Sequence, residues 1–216
     1  MNEKTVSISV IRRLPRYYRY LGMLLHSGVT RISSKELAAQ MKVTASQIRQ
    51  DLNCFGGFGQ QGYGYNVESL RDEIAEILGM NQGHTAIILG AGNLGRALIH
   101  NFQFSQNGFR LTAAFDTDPA IVGRSIAGVP VRSIDQLDEY LAEHPTSVGV
   151  LTVPQTVALT TAQRLIAGGV KGIWNFTNIE LGIRDESIVV ENVHFADSLL
   201  ALSYLITPRS GETSED

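Results

Sequence analysis

The residues of this chain best suited to chemistry form a glycine turn, Gly90-Ala91-Gly92-Asn93-Leu94-Gly95. Gly90 permits a tight bend, Gly92 lets the backbone approach a pyrophosphate, and Gly95 lets a following helix close on its sheet with its N-terminus toward the anion. The apolar run Ala86-Ile87-Ile88-Leu89 leads into the turn, as a strand buried on both faces would. A second strand, Leu111-Thr112-Ala113-Ala114-Phe115, ends in Asp116, twenty-one residues past Gly95. A carboxylate there accepts from adenosine ribose hydroxyls and repels a 2′-phosphate, which favours NAD+ or NADH. The chemistry is recognition without turnover. His26, His84, His100, His144 and His194 stand apart from any carboxylate or lysine that would complete a hydride-transfer pair, and no metal-ligand spacing occurs. Neither a catalytic nor a metal site is expected.

A second set of residues has the types that read DNA. On a helix whose Ile48 and Leu52 face inward, Ala45, Ser46, Gln47, Arg49, Gln50 and Asn53 face outward, and Arg, Gln and Asn match guanine and adenine edges in the major groove. Thr44 opens that helix, and Arg12, Arg13, Arg16 and Arg19 supply positive charge nearby in the sequence, with Arg16 and Arg19 assigned to phosphates.

The elements that must hold these residues follow from periodicity. Leu14-Pro15 with Tyr17, Tyr20, Leu21, Leu24 and Leu25 predicts a helix ending near His26-Ser27-Gly28. Ser33 and Glu36 form a capping box before the stripe Leu37, Ala38 and Met41, and Thr44 with Gln47 forms a second. Two short helices around Lys42-Val43 make a helix-turn-helix. From Phe55 to Val67, glycines between alternating aromatic residues predict a hairpin, a wing whose Gln60, Gln61 and Tyr63 reach the minor groove. Ser69 caps a further helix with Leu70, Ile74, Ile77 and Leu78 on one face, and a linker spans Gly79 to Gly83.

Beyond the glycine turn, Val148 to Pro154 and Gly172 to Thr177 predict parallel strands around a helix from Thr156 to Ala167. Thr152, Pro154, Asn175 and Phe176 then fall at the sheet edge where ligands bind. The fold class is α/β: a winged helix-turn-helix (1–80), a Rossmann-type parallel sheet (84–194), a C-terminal helix (195–207) and a flexible tail (208–216). The helix read from Asp197 to Thr207 is apolar nearly all round and must be covered on every side, which predicts burial in a second subunit. A homodimer is also what a palindromic operator requires.

Composition agrees with this division of labour. The net charge is −3 over 216 residues, yet up to Asn53 nine basic residues face three acidic ones, an excess of +6 that leaves −9 for the rest. That asymmetry suits a basic DNA-facing module on an acidic body. No apolar run or N-terminal block reads as a membrane span or secretory leader, and the single cysteine, Cys54, cannot pair internally, so the chain is placed in the cytoplasm.

The succession Leu14-Pro15-Arg16-Tyr17-Tyr18, Val43-Thr44-Ala45, Ile48-Arg49-Gln50-Asp51-Leu52, Phe55-Gly56…Gly62-Tyr63-Gly64-Tyr65, the glycine turn, Ala114-Phe115-Asp116 and Asn175-Phe176-Thr177 resembles the Rex family of bacterial redox-sensing repressors from about Leu14 to Ile206. The resemblance implies a homodimer with swapped C-terminal helices that binds operator DNA when NADH/NAD+ is low and releases it when NADH binds. It also implies switch roles at Asn101 and His194, where the family often carries Tyr and Asp. The wing glutamines replace a basic residue common in the family. A small NAD-dependent oxidoreductase and a CoA- or nucleotide-binding regulator remain open on the residues alone.

Overall fold

The computed structural model describes residues 6–56, 58 and 63–207, and the chain divides after Gln82 into two compact units. In the first, α1 (Ile8–Ile11) precedes α2 (Leu14–His26), which accepts Pro15 in its first turn because no intrahelical N–H is needed there. A two-residue strand, β1 (Arg31–Ile32), leads to α3 (Ser34–Met41) and α4 (Ala45–Asn53). The strand β2 (Tyr65–Asn66) then enters α5 (Val67–Ile77). Leu14, Tyr17 and Leu21 of α2 share one core with Leu37 and Met41 of α3, Ile48 and Leu52 of α4, and Leu70 and Ile74 of α5.

Three local expectations change. The Ser33 box closes as read, with Glu36 N–H donating to Ser33 Oγ and Ser33 N–H to Glu36 Oε2, but the Thr44 box does not. Thr44 Oγ1 accepts from Gln47 N–H, while the Gln47 amide turns to Asp51 instead of back to the cap. Asn66, three residues before Ser69, caps α5 by accepting from Ser69 N–H. The described partner of β2 is β1, antiparallel with Ile32 opposite Tyr65, so the wing strand pairs with a segment ahead of the helix-turn-helix. Gly64 allows this: its φ is +71° and a Cβ there would lie 2.7 Å from the Ile32 carbonyl oxygen. The wing residues Gln60 and Gln61 lie outside the described residues.

The second unit starts with β3 (His84–Leu89), α6 (Asn93–Asn101) and β4 (Phe109–Asp116). It continues through β5 (Ser125–Ile126), β6 (Val129–Ser133), α7 (Leu137–Glu143) and β7 (Val148–Leu151). Its last elements are α8 (Gln155–Ala167), β8 (Gly172–Asn175), β9 (Val189–Asn192) and α9 (Phe195–Ile206). The sheet order is β5-β6-β4-β3-β7-β8-β9, parallel throughout except for β5 against β6. Strand order reverses between β3 and β7, the switch point at which such sheets bind ligands. β5, β6 and β9 are additions to the four strands expected.

Pleating sends alternate residues to opposite faces. Ile87, Leu89, Phe115, Leu151 and Ile173 meet α7 and α8, while Ala86, Ile88, Ala114 and Val150 face the side carrying α6. That second face is only partly covered, and an apolar groove of about 300 Å³ lies between Phe102, Phe104, Phe109, Val148, Trp174 and Val189. α9 buries none of its residues; Leu199 and Leu200 are 67% exposed and Leu205 76%. Among the described residues no helix is long and apolar enough to cross a membrane.

Candidate nucleotide and DNA sites

The glycine turn is built by contacts that leave one side open. Gly90, at φ +94°, could carry a Cβ only 2.7 Å from the Thr152 carbonyl oxygen, and a Cβ on Gly95 would run into the Gly90 carbonyl oxygen. Gly92 differs: a Cβ there would meet nothing within 4 Å. The close-packed glycines thus shape the turn, and Gly92 faces the space a phosphate would fill. The first turn of α6 has no side-chain cap and no acidic residue, so its N–H groups and positive dipole end remain available to an anion. Asn93 is exposed and Leu94 half-buried at this end, while the Ala91 methyl is buried below the turn.

Asp116 locks the turn to β4. Its Oδ2 accepts from Ala91 N–H at 2.6 Å and its Oδ1 from Asp118 N–H at 2.9 Å. Beside it opens a cleft of about 400 Å³ lined by Phe115, Ile134, Val153, Pro154 and Val157, with Asp116 at its rim. Arg164 also lines the cleft, but its guanidinium donates to Asp138 and to the Ile134 carbonyl. These residues fit a dinucleotide: flat apolar walls for a base, a carboxylate for a ribose, and an uncapped helix end for the pyrophosphate.

Three expected ligand contacts are spent inside the protein. Thr152 Oγ1 donates to the Gly90 carbonyl at 2.7 Å, so this hydroxyl braces the turn. Asn175 is 1% exposed. Its Nδ2 donates to Ile179 O and Asn192 Oδ1, and its Oδ1 accepts from Thr177 N–H and Oγ1. Its full hydrogen-bonding capacity fixes the end of β8, because a buried amide must be satisfied. Phe176 is buried against Trp174, ring centroids 4.7 Å apart. Of the switch pair, Asn101 donates back to Ala97 O at the exposed end of α6. His194 stands at the N-cap of α9 with Nε2 3.2 Å from Glu180 Oε1.

In the first unit, α4 exposes Ser46, Arg49 and Gln50, and Arg12, Arg16, Arg19 and Tyr63 are exposed as well. Arg49 Nη1 donates to Ser34 Oγ and Arg16 Nη2 to Met41 O. Arg13 was expected on DNA, but it is bound inward. Its Nε and Nη2 donate to Asp51 at 2.6 and 2.7 Å, Tyr17 OH adds a bond of 2.7 Å and Gln47 Nε2 one of 2.8 Å. Asp51 is fully buried, and an unpaired charge there would be costly, which is why the guanidinium is drawn in. Burial alone would push the Asp51 carboxyl up; the bonds from Arg13, Tyr17 and Gln47 outweigh it and hold the group below the usual carboxylate range. Burial, with the bond to Asp51, pushes the Tyr17 hydroxyl upward, so it stays a donor. Sequence reasoning missed this cluster, although Gln47 and Asp51, four apart beside the Ile48/Leu52 stripe, were the available signal.

Fold and sites together define a class of protein: a helix-turn-helix reader joined to a dinucleotide-type sheet. Comparisons with known proteins place both halves. Residues 5–53 match the family described as putative DNA-binding protein N-terminus, and residues 81–179 match the CoA binding domain family. A redox-sensing transcriptional repressor Rex of Caldicellulosiruptor saccharolyticus is 48% identical over 213 residues, covering 99% of this chain and 97% of that protein. One from Clostridium botulinum is 51% identical, covering 94% and 97%. A crystal structure of RSP in complex with beta-NAD+ and operator DNA aligns with TM-score 0.88 at 49% identity over 94% of this chain and 93% of that one. RSP in complex with beta-NADH aligns at 0.87, with 46% identity over 94% and 95%. The chain belongs to the Rex family of redox-sensing transcriptional repressors.

Proposed function

We propose that this chain represses transcription by binding a palindromic operator as a homodimer in the cytoplasm, and that NADH, by occupying the glycine turn, releases it. The observation that carries the reading is the pairing of open space at Gly92 and an uncapped α6 with a helix, α4, whose exposed residues suit base edges. Gly90, Gly92 and Gly95 shape the pyrophosphate cradle. The N–H groups at Asn93 and Leu94 face the anion, Ala91 packs beneath it, and Asp116 takes the ribose. Ser46, Arg49 and Gln50 read bases; Arg12, Arg16 and Arg19 meet phosphates, and Thr44 and Tyr63 flank them. NAD+ fits the same cradle, and the bound nicotinamide supplies the redox difference that the repressor senses.

Homodimerisation is supported by α9. Its uncovered apolar surface calls for a partner, and the apolar groove across the sheet is further open apolar surface that supports the reading. Exchange of α9 between subunits would cover it on all sides. Linkage then sets what NADH must do: it releases DNA only as far as it binds the released conformation more tightly, and DNA weakens NADH by the same factor. Moving from mostly bound to mostly free takes a differential of roughly 10⁴-fold. The test is titration with NADH, NAD+, NADPH and CoA, with and without operator duplex selected by the protein. Tight NADH binding that the duplex weakens is expected. Equal NADH affinity in both conditions overturns the switch, and preference for CoA overturns the choice of ligand.

A further inference from the structure

The buried carboxylate of Asp51 reaches the surface of α4 through one side chain, Gln47, in the first turn of that helix. An ionised carboxylate can only accept, so the group facing it must be the amide nitrogen of Gln47, with the carbonyl oxygen turned away. Turning the amide over would set Oε1 against Asp51 Oδ1, two acceptors about 3 Å apart with no proton between them. Arg13 and Tyr17 hold the carboxylate from the other sides at 2.6 to 2.7 Å, which prevents it from moving to accommodate such a turn. Among the described residues the one buried side-chain nitrogen or oxygen without a partner is Nε of Arg71. Oε1 of Gln47 is thus not a buried atom left without a partner, and Gln47 is half-buried on a helix that also exposes Ser46, Arg49 and Gln50.

We infer that Asp51 is a positioning residue for base readout: it clamps the Gln47 amide so that Oε1 alone faces the major groove, selecting an exocyclic amine at one position of each half-site. The amine is N6 of adenine or N4 of cytosine, and the carbonyl oxygens of guanine and thymine are rejected. An unclamped glutamine turns its amide to suit either kind of edge; the clamp removes that freedom, and specificity comes from the rejected orientation. The inference rests on reading α4 as the recognition helix.

The test selects duplexes from a random pool with the full-length wild type, Gln47→Met and Asp51→Asn. Gln47→Met keeps the length of the side chain and leaves the Arg13–Asp51–Tyr17 bonds in place. It is expected to lose preference at one position per half-site and keep the others. Asp51→Asn, which can offer Gln47 either a donor or an acceptor, is expected to relax the same position. A selected duplex is then remade with the amine at that position replaced by hydrogen, using purine for adenine or 2-pyrimidinone for cytosine. The wild type should bind it roughly tenfold more weakly, and Gln47→Met no more than about twofold. An unchanged consensus for Gln47→Met, or weakening by loss of the carbonyl instead of the amine, overturns the readout. Should Asp51→Asn fold and keep the full preference, Gln47 reads the base without the clamp and the positioning role is wrong. If the wild type enriches no sequence, the recognition-helix reading itself fails and takes the clamp with it.

Discussion

In the first unit the buried carboxylate of Asp51 receives four hydrogen bonds from side chains, whereas in the second Asp116 takes two backbone N–H groups and turns its remaining edge to a cleft. The apolar surfaces divide in the same way. Helices α2 to α5 bury their inward faces in one core, while α9 buries no residue and the sheet leaves a groove beside Trp174. A reader of DNA needs side chains fixed before it binds, and the fully bonded Asp51 carboxylate fixes those around it. The second unit, proposed to take a ligand and a second subunit, keeps both polar and apolar capacity unspent. Each prediction below attacks one side of this contrast.

The largest effect should come from the open apolar surface. Removing the chain after His194 takes away Leu199, Leu200, Leu202 and Leu205, each more than half exposed in one protomer. The truncated protein is expected to be monomeric or aggregated by light scattering. Its operator affinity should fall by at least about a hundredfold, because a monomer engages one half-site and loses the coupling of two. A stable dimer with normal affinity would mean that α9 is not the interface.

Asp51→Ala should cost about 3 to 5 kcal/mol in the stability of the first unit, since it leaves the Arg13 guanidinium and the Tyr17 hydroxyl without their acceptor. Arg13 keeps about a quarter of its side-chain surface in solvent, which places the expected value toward the lower end. NADH affinity in the second unit should survive. The same carboxylate predicts an acid limit. Because its folded pKa lies below the unfolded one, its stabilisation is complete above the unfolded value, near ~3.9, and is lost as pH falls through the folded value. Denaturant midpoints measured from pH 6 downward should therefore drop for the wild type below about pH 4 and stay flatter for Asp51→Ala.

This cluster also marks the limit of what was legible. Helical and strand periodicity revealed α2 to α4, β3, β4 and the glycine turn because their apolar residues recur at fixed spacing. The contact of Arg13 with Asp51 joins residues thirty-eight apart and leaves no periodic trace, so Arg13 reads as one more cation on a basic face. β1 and β2 are two residues each, too short to show alternation, and their pairing depends on the absent Cβ of Gly64. Asn175 and Thr152 sit at the ligand edge, as strand ends should. Whether a polar side chain there faces ligand or backbone is decided by neighbours, such as Asn192 and the Gly90 carbonyl, that the sequence does not rank.

At the open carboxylate the expected loss is smaller. Asp116→Ala removes a charged acceptor from a ribose and frees Ala91 N–H, so NADH and NAD+ should both weaken by about ten- to a hundredfold. Operator binding without nucleotide should persist and become insensitive to NADH. Asp116→Asn retains an oxygen for Ala91 N–H but loses the charge, so its preference for NADH over NADPH should narrow. An unchanged NADH-dependent release in Asp116→Ala would remove this residue from the nucleotide site.

The smallest effect is expected where the closed unit meets DNA through a side chain already engaged. Arg49 donates to Ser34 Oγ at 3.1 Å, so reaching a guanine exchanges one hydrogen bond for two, and the net gain is less than that of a free arginine. Arg49→Ala should cost about 1 kcal/mol of specific binding, near the bottom of the range for a bidentate base contact. Ser34→Ala, by releasing the guanidinium, should leave affinity equal or slightly higher. Arg19→Ala provides the contrast: a phosphate contact should weaken every duplex alike and lower the slope of log affinity against log salt by about one, with the selected sequence unchanged. Loss of sequence preference in Arg19→Ala together with an unchanged preference in Arg49→Ala would reverse the two assignments. It would also show that the exposed face of α4 lies away from the base edges.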